Sequence, residues 1–367
     1  MKRRRADKIF FGIVVALALV GIFIFTSASL GLFARDGAAF STVALKQIIF
    51  GTLGVVSLLF FANLDYRIWK KYSFYIFMIS LALVALVFVS SIGFSSGGAT
   101  RWIDLGLFTF QPAELLKFGF IVYFAALLSS LKTKVYTTQY GLLPMVIFLV
   151  VIGGILLKQP DMGTLMVIVV TAIAMFIGAN GKWSHIGVVS AGIIIVFILV
   201  LFTKPYAMER VLTFLEPGRD PLGASYQLQQ SLIAVGSGEV AGRGFGQSIQ
   251  KFKYLPEPTG DSIFAVAAEE FGFIGSTILV GLFLAFAYRG LHIANRAPTQ
   301  FGGLLVLGLV ILIVVQSFIN ISSMLGLFPL TGMPLLFVSQ GGTALFFTLL
   351  EAGVILNVSK YKKNKLI

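Results

Sequence analysis

The sequence contains no cysteine, and only two of its 367 residues are histidine. The lack of cysteine excludes a disulfide framework and a thiolate metal site, so the redox compartment cannot be read from the sequence. Two histidines are too few for a histidine-based metal cluster. Charge is also scarce, since Asp, Glu, Lys and Arg make up only 12% of the chain. A soluble globular domain carries about 25%, so an ordinary soluble fold is excluded.

Apolar residues dominate instead: they make up 57% of the chain, and the mean hydropathy is +0.95. Each membrane crossing needs about 20 apolar residues. The apolar runs lack the alternation of barrel strands, so we expect helices. The predicted spans are 9–34, 43–63, 74–93, 109–130, 142–158, 161–180, 184–203, 262–289, 300–324 and 333–358. The sequence therefore predicts an all-α polytopic membrane protein with about ten transmembrane helices, in a single domain covering 1–367.

The formal net charge of +13 comes from 28 basic and 15 acidic residues. Most basic residues lie in short loops and at the two ends of the chain, which is a topology signal and does not indicate a nucleic-acid partner. The run from Ile9 to Phe33 is too long for the core of a signal peptide, so we interpret it as the first span. We therefore expect a multi-pass protein of the cytoplasmic (inner) membrane with both termini in the cytoplasm.

One segment between the seventh and eighth spans, about 204–261, is polar, glycine-rich and much longer than ordinary connections. It keeps aromatic residues among apolar ones, and SYQLQQSLIAVGSG has the pattern of a short amphipathic helix closed by glycine. The segment also holds Arg210, Arg243, Lys251 and Lys253. This positive surface could bind a pyrophosphate or anionic lipid headgroups. We expect a large folded extracellular loop.

Acidic residues at the edges of spans are the candidates for chemistry, because ionisable groups near hydrocarbon are costly. Asp261 stands where the long loop becomes the eighth span, and it could cap that helix or act as a catalytic group. Glu269 and Glu270 lie about two turns deeper, too far to pair with it. Glu257 is nearer, but Pro258 leaves its direction undefined. The spacing therefore does not support a glycosidase-like carboxylate pair.

Two further motifs contain charge. In FQPAELLKFGF, Glu114 and Lys117 are three residues apart and share a helix face, either as a buried ion pair or as substrate ligands. In LKQPDMGT, Pro160 breaks the chain before Asp161, which could cap the sixth helix.

At this point the motifs indicate a family. The stretch SYQLQQSLIAVGSGEVAGRGFGQSIQKFKYLPEPTGDSIFAVAAEEFGFIG resembles the long extracellular loop and following helix of SEDS proteins (shape, elongation, division, sporulation). The resemblance continues in RWIDLGLFTFQPAELLKFG, QPDMGT, VLTFLEPGRDPLGASYQ and NISSMLGLFPLTGMPLLFVSQGGTALF, in the family's order over nearly the whole chain. The spacing through GQSIQKFKYLPEP is more similar to the division branch, typified by FtsW, than to the elongation branch, typified by RodA.

The resemblance implies a ten-helix glycosyltransferase that polymerises lipid II into peptidoglycan on the outer face of the membrane, in septal synthesis, together with a class B penicillin-binding transpeptidase and other division proteins. The family's essential aspartate falls on Asp261. Its conserved fourth-helix acid and base fall on Glu114 and Lys117. Other family motif positions, as candidate substrate-binding residues, are Arg101, Asp161, Arg210, Gln230, Lys251, Glu257 and Ser339. The sequence departs from the family pattern at Thr259-Gly260, at Gln340 and at Glu351, an unexpected acid in the last span.

The expected mechanism uses Asp261 as general base on the acceptor hydroxyl of one lipid II, while Lys117, Arg210 or Lys251 stabilises the departing pyrophosphate. No cofactor is required by the sequence; a divalent cation, Mg²⁺ or Mn²⁺, is the alternative to these basic residues. Three other functions stay open: an elongation-type polymerase, a lipid II flippase with polar groups lining a path through the membrane, and a non-catalytic scaffold for the division machinery.

Overall fold

Long apolar helices make up most of the chain, because backbone N–H and C=O groups in hydrocarbon must be hydrogen-bonded within their own segment. The computed structural model describes residues 5–35, 37–89, 93–96, 99–106, 108–220, 222–223 and 225–361. The helices are α1 Lys8–Arg35, α2 Gly37–Asn63, α3 Arg67–Leu86, α4 Pro112–Leu131, α5 Leu143–Lys158, α6 Met162–Gly178, α7 Trp183–Thr203, α8 Pro205–Leu215, α9 Tyr226–Ser237, α10 Gln250–Lys253, α11 Ile263–Asn295, α12 Gln300–Met324 and α13 Gly342–Ser359.

The polytopic membrane architecture is confirmed. Within the described ranges, nine helices are long and apolar enough to span a membrane, and α6, with 17 residues, is a shorter apolar helix in the place of the sixth predicted span. At about 1.5 Å per residue α6 is roughly 26 Å long, close to the thickness of the hydrocarbon core. Of the basic residues at the chain ends, Lys2, Arg3, Arg4, Lys362, Lys363 and Lys365 lie outside the described residues.

The starts of two predicted spans are wrong by seven residues or more. The third was placed at 74–93, but α3 begins at Arg67, because its charged first turns lie at the helix end, where long basic side chains reach the polar interface. The last was placed at 333–358, but α13 begins only at Gly342. Residues 333–341 stay irregular because the Leu335 N–H donates to the Ser339 hydroxyl (2.8 Å) and Phe337 has a positive φ of 68°.

The bundle is centred on α4, α12 and α13, which are the most buried spans, while α7 is the most exposed. The structure also contains a small antiparallel sheet that the sequence did not predict. Its strands are β1 Gly93–Ser96, β2 Ala99–Asp104 and β3 Thr109–Phe110, in the order β1-β2-β3. It lies between α3 and α4, so its last strand leads into the helix that holds Glu114 and Lys117. The long loop is folded as expected and contains α8, α9 and α10.

Helix α11 is broken at Gly272, whose φ and ψ of 63° and −162° lie in a region that only glycine adopts readily. The loop segment 239–244 supplies the hydrogen bonds that the break removes. Arg243 N–H donates to the Glu269 carbonyl (3.0 Å), and Phe273 N–H donates to the Glu239 carbonyl (2.9 Å). Similar bonds join Gly244 to Glu270 and Ile274 to Val240. The loop is therefore fixed to α11 through backbone groups.

Candidate active site

Asp261 lies two residues before α11 begins, and the structure decides between its two interpretations. The N-cap of α11 is Ser262, and no side chain makes a capping hydrogen bond there. The Asp261 Oδ1 atom is buried and has no hydrogen-bond partner among the described residues. Its carboxylate therefore does not serve as the helix cap. An unpartnered buried carboxylate oxygen is costly, and such groups are retained where a ligand will satisfy them.

The backbone of Asp261 is held by α12. The side-chain amide of Asn320 donates to the carbonyl oxygens of Asp261 (2.7 Å) and Met333 (2.8 Å). This bond pair joins the residue before α11 to the irregular segment that follows α12. Asn320 therefore fixes the position from which the Asp261 side chain extends.

The preceding two residues are held by the segment before α13. The Ser339 hydroxyl donates to the Gly260 carbonyl at 2.7 Å. The Gln340 backbone N–H donates to the Thr259 carbonyl (2.7 Å), and the Thr259 hydroxyl donates to Gln340 Oε1 (2.6 Å). Thr259 and Gln340 are both departures from the family pattern, and here they bond to each other. Ser339, a candidate substrate-binding residue, thus lies next to the turn that carries Asp261, and its hydroxyl holds that turn.

Burial raises the pKa of Asp261 to about 6. The Gln227 amide lowers this pKa, the neighbouring Glu257 carboxylate raises it, and Arg210 lowers it. Near neutral pH the carboxylate is therefore mostly deprotonated, yet it is a stronger base than an exposed aspartate, which suits proton abstraction. Gln227, which the sequence did not single out, is the α9 glutamine that interacts with Asp261, while Gln230 stays a predicted substrate-binding residue. Glu257 does lie near Asp261, which the sequence left undefined.

Arg210 of α8 is the basic residue whose charge acts on the Asp261 carboxylate. Its Nη1 donates to the Thr331 carbonyl at 3.2 Å. Its Nη2 and the Asp261 Oδ2 each lie 3.9 Å from the point where a Cβ on Gly332 would stand. Because glycine has no side chain, the space beside both groups stays open. Among the described residues, Arg210 forms no direct ion pair with Asp261. A cation and a carboxylate thus face a common space without neutralising each other.

Tyr206, which the sequence did not single out, lies close enough to Arg210 for their charges to interact. Burial raises the pKa of its hydroxyl, while Arg210 and Arg101 lower it. The Tyr206 hydroxyl is buried and has no hydrogen-bond partner among the described residues, as is the case for Asp261 Oδ1. Tyr206 and Asp261 thus each have an unpartnered oxygen, and both interact electrostatically with Arg210. The sequence gave no signal for Tyr206, because a single tyrosine in the first turn of α8 forms no charged or repeated motif.

Arg101 and Asp161 have structural partners at the edge of this cluster. The Arg101 guanidinium donates to the carbonyl oxygens of Gln159 (3.3 Å) and Pro160, and so holds the turn between α5 and α6. Asp161 caps α6, accepting from the backbone N–H of Thr164 (3.2 Å) and from its hydroxyl (2.9 Å). The capping interpretation of Asp161 agrees with this geometry. Both residues still contribute charge to the surroundings of Tyr206 and Arg210.

Glu114 and Lys117 form a buried ion pair with an N–O distance of 2.9 Å. The Lys117 ammonium also donates to Gln316 Oε1 at 2.6 Å, and Gln316 Nε2 donates to the Pro334 carbonyl at 3.3 Å. Glu351 lies within electrostatic reach of Glu114 and Lys117. Lys117 is only 2% exposed. The pair therefore connects α4 to α12 through Gln316, and Gln316 connects both to the segment before α13. The charges of the pair are shielded from solvent.

Lys251 does not lie on the positive loop surface where the sequence analysis placed it, because its side chain is buried. Its ammonium group is fully buried, donating to Glu270 Oε1 (2.5 Å) and to the Ser27 hydroxyl (2.9 Å). An ammonium group committed to these partners is not available to a pyrophosphate, so that part of the prediction is wrong. The sequence could not reveal this, because it gives no sign that Glu270 turns toward the loop.

The comparisons with known proteins agree with this architecture. A family model covering FtsW, RodA and SpoVE proteins, described as Cell cycle protein, matches residues 7–364. The chain belongs to this family. It is the SEDS family that the motifs indicated, and the match extends over nearly the entire SEDS chain.

Curated relatives of this SEDS protein carry two kinds of name. Stage V sporulation protein E of Bacillus subtilis is 38% identical over 322 residues, which are 87% of this chain and 87% of that protein. A protein of Trichlorobacter lovleyi named Probable peptidoglycan glycosyltransferase FtsW is 35% identical over 358 residues, covering 96% of this chain and 93% of that one. High identity is therefore shared with both a sporulation protein and a division protein.

Solved structures share the fold. A chain from a peptidoglycan synthase complex, studied for the structural coordination of polymerization and crosslinking, superposes with a TM-score of 0.79 at 26% identity, covering 98% of this chain and 99% of that one. The rod shape determining protein RodA of Thermus thermophilus gives a TM-score of 0.69 at 24% identity, covering 96% of each chain. The SEDS fold thus extends over essentially all of the chain.

Proposed function

We propose that this chain is a peptidoglycan glycosyltransferase that polymerises lipid II on the outer face of the cytoplasmic membrane. The names of its full-length relatives support the reaction class. The observation that carries the mechanism is the buried, unpartnered carboxylate oxygen of Asp261 beside Arg210. A carboxylate with a pKa near 6 and an adjacent cation is the pairing that activation of a hydroxyl next to a diphosphate requires.

In the proposed step, Asp261 accepts the proton from the 4-hydroxyl of the GlcNAc of one lipid II. That oxygen forms a bond to the anomeric carbon C1 of the donor chain, with inversion. The bond from C1 to the pyrophosphate oxygen breaks, and its electron pair leaves with undecaprenyl pyrophosphate. Because a pyrophosphate is a stable anion once its charge is neutralised, no general acid is needed on the leaving group.

Arg210 is the residue that we assign to the pyrophosphate, and the Tyr206 hydroxyl is a second donor. A guanidinium binds phosphate oxygens in a two-pronged geometry, and among the described residues Arg210 bonds only one carbonyl, through its Nη1. Lys117 instead becomes a positioning residue, since its ammonium group is enclosed by Glu114 and Gln316. Gln316 passes this constraint to the Pro334 carbonyl in the segment before α13.

A divalent cation fits the site only as a partner of the substrate. The described residues contain no group of three or more His, Asp or Glu side chains suited to hold a metal alone. Mg²⁺ is nevertheless commonly bound by one or two carboxylates together with substrate phosphates. Asp261 and Glu257 would hold such an ion, which would neutralise the pyrophosphate when bound.

Replacing Asp261 by Asn tests the proposal directly, because the substitution keeps the shape and removes the base. Polymerisation of lipid II by the purified chain should fall by about 10² to 10⁴-fold, measured as glycan strands on a gel. Glu216→Gln is the matched control, since Glu216 is an exposed carboxylate in the same loop and should keep full activity. Full activity of Asp261→Asn would reject the assignment.

The assay also separates the rival functions. A flippase moves lipid II between leaflets and would form no glycan in detergent, where there are no leaflets to cross. A scaffold would give polymer only through its partner, so Asp261→Asn should then leave the activity of the complex unchanged. Loss of polymer in both the isolated chain and the complex supports the enzyme.

Process, partner and orientation belong to the same proposal. We assign the chain to septal synthesis on the loop spacing and on the FtsW relatives, with a class B transpeptidase as partner by analogy with the peptidoglycan synthase complex. The excess of basic residues in short loops supports cytoplasmic termini and a site that faces outward. The relative named Stage V sporulation protein E makes sporulation the main alternative process.

A further inference from the structure

A cavity of about 370 Å³ lies beside α8, within the long loop. This volume is in the range of pockets that bind small ligands, about 300–1,000 Å³. One wall of the cavity is α8, and the other is the segment that leads from α8 to α9. The proposed mechanism uses none of the residues that line it.

Helix geometry places this cavity next to the proposed pyrophosphate ligand. Glu209 lines the cavity and directly precedes Arg210 on α8. Successive residues of an α-helix point about 100° apart around its axis, and a helix with its side chains is about 10–12 Å wide. The cavity and the guanidinium side of α8 are therefore within about 10 Å of each other, close enough for one substrate to reach both.

Two buried hydroxyl groups in the lining have no partner in the described part of the chain. Thr213 is 7% exposed and Ser225 is 1% exposed, and neither hydroxyl bonds to another described residue. The Thr213 hydroxyl does not donate to the carbonyl four residues earlier, as those of Thr171 and Thr348 do at 2.7 Å. Ser225 is the N-cap residue of α9, yet its side chain makes no capping hydrogen bond. Because buried polar groups normally have a partner, these hydroxyls indicate a ligand.

The charged residues of the lining are of both signs. Glu209 and Arg219 are exposed, and neither side chain forms an ion pair or a hydrogen bond with a described residue. Asp220 adds a second carboxylate, so the lining has no excess of positive charge for a phosphate group. A ligand with both an anionic and a cationic group would fit these charges.

Apolar side chains complete the wall on α8, namely Pro205, Met208 and Leu212. The ligand therefore needs apolar carbon atoms, several hydrogen-bonding groups and charges of both signs. A sugar offers hydroxyls but no charge, and a phosphate offers charge of one sign only. A short peptide combines all three features, since it carries amide groups, apolar side chains, carboxylates and an amine.

We propose that this cavity binds the peptide of lipid II, with the Thr213 and Ser225 hydroxyls bonded to its amide groups. Arg219 binds a carboxylate of that peptide, and Glu209 binds an amine. The inference rests on the proposed function, because it needs Arg210 to hold the pyrophosphate of the same molecule. In lipid II the peptide and the pyrophosphate are attached to one sugar, so two faces of α8 bind neighbouring groups of one substrate.

The test compares the binding of two lipids to the purified Asp261→Asn chain in detergent, where turnover does not interfere. One is lipid II, and the other is the same lipid-linked disaccharide without its peptide. Lipid II should bind about tenfold more tightly. Thr213→Val combined with Ser225→Ala should reduce this preference to about twofold or less, since two hydrogen bonds are lost. Binding of the peptide-free lipid should stay unchanged in that variant.

Thr203→Val combined with Ser237→Ala is the matched control. It also removes two hydroxyls, but each of these bonds to a carbonyl of its own helix, and neither lines the cavity. The control should keep the tenfold preference. Because the Thr213 and Ser225 hydroxyls have no partner among the described residues, their removal should leave the melting temperature unchanged, which separates lost binding from a folding defect.

Each other outcome has a distinct meaning. Equal binding of the two lipids to the Asp261→Asn chain would overturn this inference and leave the proposed function standing. Binding of neither lipid would overturn the proposed function, and the inference with it. A preference for lipid II that survives in the Thr213→Val, Ser225→Ala variant would place the peptide elsewhere. Equal binding of both lipids, together with loss of a co-purified transpeptidase in that variant, would assign the cavity to the partner protein instead.

Discussion

Tyr206 and Asp261 each keep a buried oxygen without a hydrogen-bond partner among the described residues. Leaving such a group unsatisfied costs about 1 to 3 kcal/mol. Tyr206→Phe should therefore leave thermal stability unchanged or raise it, while lowering polymerisation of lipid II by about tenfold to a hundredfold through loss of a donor to the substrate. Tyr254→Phe is the control, because Tyr254 is exposed in the same loop. An equally active Tyr206→Phe enzyme would show that the hydroxyl does not contact the substrate.

The titration of Asp261 predicts a pH dependence. The base acts only when deprotonated, so the rate of polymerisation should rise with pH up to about 6 and level off above it. The free energy of unfolding should instead fall as the pH rises through this range. Since the folded pKa is raised from 3.8 to about 6, the buried charge destabilises the folded chain above pH 6, and this cost is absent below about pH 4.

Asp261→Asn provides the control for both effects. Its melting temperature should exceed that of the unsubstituted chain at pH 7.5, and the difference should shrink at pH 5. A rate that shows no change between pH 5 and 7, measured with enough lipid II to saturate the enzyme, would contradict the assignment of Asp261 as the base.

At the scale of one element, the break in α11 depends on Gly272. A Cβ at this position would stand 2.3 Å from the Gly242 backbone nitrogen, and the residue has a φ of 63° that side chains disfavour. Gly272→Ala should lower the free energy of unfolding by more than about 2 kcal/mol, measured by thermal or denaturant unfolding in detergent. Gly281→Ala in the same helix is the control, since nothing lies within 4 Å of its Cβ position. Equal stability of both variants would mean that the break is easily remodelled.

The partners of the two buried carboxylates of α11 could not be predicted from the sequence. Glu269 and Glu270 are 1% exposed and are satisfied by the loop: Glu269 accepts from Ser248 and Ile249, and Glu270 from Lys251. A linear pattern places them two turns into a span and says nothing of the loop that returns to them. Contacts between residues about 20 positions apart, across an irregular segment, depend on the tertiary fold.

Over the whole molecule, the sequence predicted the class of fold and the approximate positions of the ten apolar helices, apart from the misplaced boundaries of α3 and α13, because hydrocarbon demands long apolar runs. Family motifs singled out Asp261, Arg210 and Ser339 as candidate site residues, and the structure places Ser339 and Arg210 near Asp261. It missed Tyr206, Gln227 and Asn320, since neutral polar residues carry no charge signal. It misplaced Lys251, because burial of a lysine depends on a partner that only the folded chain supplies. The sheet of three short strands was missed for a similar reason: its pairing leaves almost no pattern.

The orientation of the molecule can be tested because the chain has no cysteine. Single substitutions Glu216→Cys in the long loop and Lys182→Cys before α7, both at exposed positions, give two reporters at opposite ends of the bundle. A membrane-impermeant maleimide added to intact cells should label the cysteine at position 216 and leave the one at position 182 unlabelled. The reverse pattern would place the proposed active site in the cytoplasm, away from any exported substrate.

The contacts between the long loop and α11 also bear on how the chain is made. Residues 239–251 are translated before Glu269, Glu270 and Gly272, so the partners of the broken helix have already left the ribosome when that helix enters the membrane. If the helix were inserted before the loop, Glu269 and Glu270 would enter hydrocarbon without the Lys251 ammonium group and the backbone N–H groups that they bind. The order of the residues along the chain thus places the loop partners before the helix, and a permuted gene that reversed this order should yield chains that insert poorly.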